Sequence, residues 1–481
     1  MANETTASSK YALGIDVGSS SIKATLVRIS DMQSVAEQRV ECTATYVVNN
    51  SVRSEQNVAL IVEYLDLCVG ALPSTLLNRV VAIGICGQMH GVVCWSSKEH
   101  PWNMESSPQR VSHGGILVDE SKVSRHYTWQ DNRCTPNFLA SLPSSRSHLS
   151  VHTGYGCATL FWLKANDSDT LQKFDRAATI ADFVVSMLCN LDRPQTSPQN
   201  AASWGYFDAE NNRFEENLLR EADFPIGMLP QVRPDNGVAG TLKRPWHGIP
   251  SGVIVGVALG DLQAFVRAKL RDEKEAIVNV STSAQMVFVD RDFVPSKAEK
   301  TAAKVVPYFE GKFLYEGAAI NGGNAISLFV NFVSESMQLL GCNVPKDQIW
   351  RRLIEESHKV LMEKDSTHLP LQFVPTFWGE RRCPLQRGSV CQLTPENFNL
   401  AALFRALCIG VVDNIHELVP LAVLRQRGIE KIVATGTALL RNETLLEELQ
   451  NRYAPLPVHS EQSASADSAL GAALAIIRLL D

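Results

Sequence analysis

The chain of 481 residues has no pair of cysteines at CxxC spacing and no His/Cys cluster at zinc-ligand spacing. Its eleven cysteines are an odd number, scattered from Cys42 to Cys408, and they read as reduced, mostly buried thiols. No apolar run approaches bilayer-spanning length, so a membrane is not an expected partner. The opening MANETTASSK lacks the apolar core of a secretory leader, which makes the cytoplasm the expected location. There is no GxxxxGK[ST], which excludes a Walker phosphate loop. Positive charge is not in excess: the net charge is −6 and no Lys/Arg cluster alternates with aromatics, so nucleic acid is not expected as a partner either.

What is present is ordinary globular composition, 45% hydrophobic and 20% charged, in a chain too long for one compact core. Two domains of roughly 200–250 residues follow. The stretch Val253 to Gln285 organises both. Val253 to Leu259 is an almost unbroken apolar run, suiting a strand covered on both faces. Asp261 stands just past it, and Leu262, Phe265, Val266 and Leu270 then recur at helical spacing. Asp261 therefore occupies a strand-to-helix corner, where open α/β sheets place ligands and where Asp also serves as a helix N-cap.

Two segments share one plan. Tyr11 to Lys23, YALGIDVGSSSIK, followed by ATLVRI, is an apolar strand, a Gly/Ser turn and a second strand, and Ala276 to Val289, AIVNVSTSAQMVFV, repeats it. Gly/Ser turns are common, but their repetition, one opening each half, points to a duplicated fold gripping a polyphosphate from two sides. The domains are expected at 1–262 and 263–481.

Between these landmarks, Gln56 to Leu72 reads as a covering helix and Val80 to Cys86 as a buried strand. The latter ends in Gly87-Gln88-Met89-His90-Gly91 before a second apolar run, Val92 to Trp95. Ser96 to Ser124 reads as a long loop or hairpin excursion. In Thr128 to Arg133 a flat Trp129 beside Gln130 and Asp131 suits a sugar, whose C–H faces take the ring and whose hydroxyls take the polar groups; it suits a helix start equally. Thr153 to Lys164 reads as a loop entering a helix, Thr179 to Leu188 as a helix or strand, and Asn200 to Asp208 as a small-residue strand with a turn. Gly322 and Gly323 precede a helix, where they let backbone approach a phosphate or ribose or simply make a turn and cap. Thr394-Pro395 is expected to open a long helix, and Asp467 to Leu480 to form a final Ala-rich one. Lys431 to Gly436 is a strand leading to Thr437–Asn442, where small residues could shape an adenine slot and Asn442 either caps a helix or meets the base.

In this order and spacing, GIDVGSSSIK, CGQMHG, TWQDNR, GDLQ, NVSTSAQ, INGGN, VPTFWGER and ATGTALLRN resemble the FGGY carbohydrate kinases over nearly the whole chain. The resemblance implies an α/β, two-domain duplicated ribonuclease H-like fold, that of the actin, hexokinase and chaperone ATPase superfamily, with a cleft between the domains. It implies ATP and Mg²⁺ as cofactors and transfer of the γ-phosphate to a primary hydroxyl of a small-molecule ketose. GICGQMHGVV, SRHYTWQDNRC, SHLSVHTGYGCATLFWL, SPQNAASWGYF and GVALGDLQA are similar to the family branch acting on the seven-carbon ketose sedoheptulose. A xylulose- or ribulose-type pentulose or a polyol is the alternative acceptor, and an actin-like ATPase switch the alternative class.

Residue by residue, the resemblance implies Asp261 as general base and Asp16 as the acid holding Mg²⁺ through water. It implies Gly18, Ser19, Ser20 and Lys23 on the first hairpin and Ser281, Thr282 and Ser283 on the second as phosphate-binding. Gly322 and Gly323 fall near the nucleotide, Gly436, Thr437 and Asn442 on the adenosine motif, and Gln88, Met89, His90, Trp129 and Asp131 in the sugar pocket. Ser19 and Ser20 stand where most relatives have Thr, and either hydroxyl can donate to phosphate.

Overall fold

The computed structural model describes residues 9–46, 52–103, 115–234, 237–298, 303–360, 370–380, 383, 385–461 and 467–480. Two sheets carry the molecule. In the first, Tyr11–Val17 (β1) is buried along its whole length, as its apolar run demands, and turns through Gly18 to Ser20 into Ser21–Arg28 (β2). Gln33–Glu41 (β3) extends the pair antiparallel at the solvent edge. Val58–Gly70 (α1) follows, capped by Asn57, whose side chain accepts from Leu60 N at 3.1 Å. It buries Val58, Ile61, Val62, Leu65 and Val69, the stripe expected of it. Val80–Gly87 (β4) runs parallel to β1, and Ile254–Gly256 (β5) parallel to β4.

Asp261–Lys269 (α2) leads to the second sheet, built from Glu275–Val280 (β6), Ala284–Asp290 (β7), Phe313–Ala319 (β8), Lys431–Thr435 (β9) and Val458–Ser460 (β10). The strand orders β3-β2-β1-β4-β5 and β8-β7-β6-β9-β10 match, and so do the strand directions. The repetition seen in the two hairpins is thus a repetition of five strands, to which the first sheet adds Val238–Thr241 beside β5 and the second Lys304–Pro307 beside β8. Gly323–Leu339 (α3), Leu400–Leu418 (α4) and Glu443–Tyr453 (α5) belong to the second half.

The last helix, Ser468–Ile477 (α6), returns to the first sheet and packs on β1 and β4. A cut at 262/263 separates the strands of the two sheets, and α6 is the element that crosses back over it. Facing α6, α2 buries Val266 among Ile277, Val287 and Leu314 of the second half. The two helices meet where Gly471 lies against Ala264: a Cβ on Gly471 would sit 1.7 Å from the Ala264 carbonyl oxygen, so only glycine permits this approach.

Several local expectations need correction. The run Val253 to Leu259 is two short strands, Ile254–Gly256 and Leu259–Gly260, not one. Val93–Trp95 pairs with Arg176–Ala178, outside both large sheets. Asn200 to Asp208 is not a strand with a turn; Pro198–Ala202 is a helix capped by Ser197 with Pro198 in its first turn, and only Phe207–Asp208 is extended. The helix expected from Pro395 begins at Leu400, capped by Asn399, because Asn397 bonds back to Thr394 N at 2.9 Å and turns the chain first. Within Ser96 to Ser124, residues 104–114 lie outside the described residues. All eleven cysteines are free and most are buried. Among the described residues no helix is long and apolar enough to cross a membrane.

Candidate active site

Strand register brings the candidate residues together. Asp16 lies opposite Cys86, and Cys86 opposite Leu259; one step on, Val17, Gly87 and Gly260 form the next row. The residues that follow are the Gly18 turn, Gln88 and Asp261. Three chain segments therefore leave the same edge of the first sheet, with neighbouring strands about 5 Å apart. This is the carboxyl edge, where open parallel sheets hold ligands.

At that edge carboxylates crowd. Lys23, opposite Asp16 across the hairpin, places Nζ 3.7 Å from Asp16 Oδ2 and 3.7 Å from Oδ2 of Asp467, the N-cap of α6. Asp16 is nevertheless pushed up to about 6, because burial outweighs the Lys23 charge and Asp467 adds to the rise. Its Oδ1 is buried and has no hydrogen-bond partner among the described residues. Asp261 is pushed up to about 7, mainly by burial, then by the charge of Asp16; the Leu262 N–H, donating to Asp261 Oδ1 at 2.7 Å, pulls the other way. As the first residue of α2, it also receives the favourable end of the helix dipole.

The Gln88–Gly91 turn adjoins Asp261. A Cβ on Gly260 would lie 2.7 Å from Met89 Sδ, so Met89 rests against the residue preceding Asp261. Gln88 is buried and donates through Nε2 to Gln56 Oε1 at 2.9 Å. His90 adopts φ +72°, its ring Nδ1 2.7 Å from the Ser203 carbonyl and its backbone N–H donating to Ser203 Oγ. The ring stacks on Tyr155 with centroids 4.3 Å apart. Trp129 is 40% exposed, leaving its ring open to a ligand.

Asp131 is otherwise engaged, and its expected sugar contact is corrected by the geometry. It is fully buried, Oδ1 accepts from Arg133 N and Nε, and Oδ2 accepts from Arg133 Nη2 and Ser54 N. A carboxylate offers about four lone-pair sites, and all are taken. Asp131 fastens the Trp129 loop through Arg133, which also donates to Glu55 Oε1 at 2.6 Å.

On the second sheet, Ser281, Thr282 and Ser283 make the turn between β6 and β7, with Thr282 exposed. Gly323 at the start of α3 donates N–H to Ser281 O at 2.9 Å, and Asn324 to Thr282 O at 3.0 Å. A Cβ on Gly323 would meet Ser281 O at 2.1 Å, and one on Gly322 would meet Ser283 O at 2.7 Å, so the glycine pair joins the turn to the helix. Gly436 follows β9 with φ +96°, where a Cβ would lie 2.3 Å from Asn279 Oδ1, and Thr437 beyond it is exposed. Asn442 resolves to the capping alternative: it is buried, its Oδ1 accepts from Leu445 N at 3.1 Å and its Nδ2 points to Cys408 Sγ.

Sequence reasoning missed the residues that tie these parts together. Gln56 donates to Ser19 O at 2.8 Å while accepting from Gln88, so one buried amide joins the first hairpin to the Gln88 turn. Gln199 and Asn200, on the unexpected helix, accept from Gly260 N at 3.1 Å and donate to Ala258 O at 3.2 Å, holding the approach to Asp261. Lys304, from the second half, donates to the Tyr155 hydroxyl at 2.8 Å. Glu380 accepts from Ile320 N, Asn321 N and Asn414 Nδ2, fixing the loop before Gly322. The capping pair Ser197-Pro198 was the one local signal; the other links join residues dozens of positions apart.

The matching sheets and the carboxylates at their edge have the form of a two-lobed phosphotransferase. Residues 11–104 and 109–266 match the N-terminal domain of the FGGY family of carbohydrate kinases, and the chain belongs to that family. It is a sugar kinase of an ATP-using family, acting on a small-molecule sugar. Sedoheptulokinase from Homo sapiens is 39% identical over 481 residues, 97% of each chain, and that from Mus musculus 39% identical over 483 residues, 98% of each. Xylulose kinase from Rhodospirillum rubrum superposes with a TM-score of 0.79 at 18% identity, covering 97% of this chain and 89% of its own, which speaks to the fold alone.

Proposed function

We propose that the chain transfers the γ-phosphate of Mg²⁺-bound ATP to a primary hydroxyl of a ketose, with sedoheptulose as the acceptor and sedoheptulose 7-phosphate as the product. The 39% identity to sedoheptulokinases over nearly the full chain supports the seven-carbon acceptor. The observation that carries the chemistry is Asp261, a half-buried carboxyl pushed up to about 7 at the edge shared by the first hairpin and the Met89 turn.

In this reading Asp261 orients the attacking hydroxyl and takes its proton as the new O–P bond forms. A base with a pKa near the working pH combines a large ionised fraction with useful proton affinity. Phosphoryl transfer has a loose transition state, so positioning and charge neutralisation count for more than base strength. Trp129 covers a C–H face of the sugar, Gln88 and His90 meet its polar side, and Met89 adds an apolar contact. Gly18, Ser19, Ser20 and Lys23 face the phosphates from the first lobe, and Ser281, Thr282, Ser283, Gly322 and Gly323 from the second. Gly436 and Thr437 border the adenosine.

The residues present fit a magnesium ion. Among the described residues no three His, Cys, Asp or Glu side chains converge, which argues against an all-protein cage, whereas Mg²⁺ keeps several waters and needs one or two carboxylates. The unpartnered Asp16 Oδ1 is such a group. Asp16 would hold such an ion through water, and the charge neutralisation it would supply is what a polyphosphate needs. The lobes are proposed as 1–262 and 263–481, with α6 completing the first.

The test is ADP release with Mg²⁺-ATP against a panel of sedoheptulose, xylulose, ribulose and glycerol. The expected result is the highest kcat/KM with sedoheptulose. Higher kcat/KM with a pentulose or glycerol would overturn the acceptor, and ADP release indifferent to every sugar would overturn the ketose reading altogether.

A further inference from the structure

A second cavity, of about 360 Å³, lies between the first sheet, α2 and α6, reaching from Leu259, two residues before Asp261, down to Gly84 and Arg267. Gly84, in its wall, is three residues before the end of β4, roughly 10 Å down the strand. Arg267 is six residues along α2 from Asp261, roughly 9 Å along the helix. Glu310 also borders it, and the rest of the wall is apolar or small, with Gly256 from β5, Ala472 and Ile476 from α6, and Phe309 from the turn preceding β8. Both halves of the molecule thus contribute.

Charge distinguishes this cavity from a packing fault. Arg267 and Arg478 both border it, and Arg478 Nη1 donates to Glu310 Oε1 at 2.6 Å. Glu310 is shared with Lys312 Nζ at 2.9 Å. Arg267 has no carboxylate within ion-pair distance among the described residues; its guanidinium lies 5.7 Å from the Phe309 ring centroid. Burial, first, and the neighbouring Arg478 both weaken its hold on the proton. An anion entering here would meet two guanidinium groups and an aromatic ring, with the Glu310 carboxylate to displace from Arg478 and apolar wall for the rest of the molecule.

We propose that this cavity is a second binding site, separate from the active site, for a small organic anion that carries a phosphate or carboxylate on an apolar body. The volume suits a single-ring molecule. The anionic group sits between Arg267 and Arg478, competing with Glu310 for the latter. The body rests on Phe309, on Ala475 and Ile476 at the end of α6, and on Leu479 just past it. Because the walls come from both halves, occupancy favours the lobe arrangement that forms them.

The probe is phenyl phosphate, titrated calorimetrically into the full chain with saturating Mg²⁺-ADP present so that the active-site phosphate cradle is filled. Inorganic phosphate supplies charge without a body, and benzyl alcohol a ring without charge. One saturable site for phenyl phosphate is expected, with both controls at least about tenfold weaker. Arg267→Met should weaken it by about 10–100-fold, the range for a lost charge-assisted hydrogen bond. Ala475→Leu, which fills the cavity while keeping both guanidinium groups, should do likewise with an unchanged melting temperature. No saturable binding, or binding that survives both substitutions, would refute the site. So would displacement by raised ADP. None of these readouts depends on which sugar is phosphorylated, so they stand apart from the acceptor assignment.

Discussion

Replacing Asp261 by Asn should make the protein more stable while removing its activity. The carboxyl rises from an ordinary 3.8 to about 7 because burial and the Asp16 charge disfavour its ionised form. Each unit corresponds to about 1.4 kcal/mol, so about three units set an upper bound of about 4 kcal/mol, which water entry into the cleft and relaxation reduce to about 1–2 kcal/mol. Between about pH 4 and pH 7 the native chain holds a proton that the unfolded chain has released, so this group costs increasing stability as pH rises through that window and a constant amount above it. Asn resembles the protonated acid, and its carbonyl oxygen can still accept from the Leu262 N–H. Thermal melts of both proteins should coincide near pH 4 and separate by about 2–8 °C in favour of Asp261→Asn at pH 8, taking about 2–4 °C per kcal/mol. A difference independent of pH, or a variant less stable at pH 8, would refute the electrostatic reasoning.

Further expectations follow from the same geometry. Asp131→Asn weakens the hold on buried Arg133, which keeps Glu55 as its remaining carboxylate partner, and should cost about 1–3 kcal/mol of stability; an unchanged melting temperature with a raised ketose KM would show instead that Asp131 meets the sugar. Gln56→Leu strips a buried amide that joins Ser19 to Gln88 and should raise KM for both ATP and ketose by about tenfold, an effect of about 1–2 kcal/mol; a change confined to one substrate would contradict the coupling. Gly436→Ala forces a side chain into φ +96° and against Asn279 Oδ1, and should weaken ADP binding at least about fivefold by calorimetry, since such strain is worth about 1–3 kcal/mol.

How much of this was legible in the chain differs by scale. The two hairpins, α1 and the corner at Asp261 follow from local pattern, because strands buried on both faces are continuous apolar runs and a half-buried helix shows its stripe. The family pattern carried the site residues, but it could not say how each is engaged. Asp131 and Arg133 are two positions apart, yet only packing shows that the acid is saturated by its neighbour. The small-residue run at Asn200 hid a five-residue helix, since Ala, Ser and Asn fit either structure and the Ser197-Pro198 cap was the sole local discriminator. An Ala-rich helix such as α6 announces burial without naming its partner, so its return to β1 and β4 was invisible. Links such as Gln56 to Ser19 and Lys304 to Tyr155 depend on chain closure over long separations, which no local pattern encodes.

The proposed role of Asp261 is to prepare the alcohol for attack. Its most direct test is the turnover of sedoheptulose by Asp261→Asn at saturating ketose and Mg²⁺-ATP, beside the unmodified protein in the same assay. Removal of a general base should lower kcat by about 10²–10⁴-fold with ADP binding unchanged. A kcat within a few-fold of the unmodified protein would contradict the assignment.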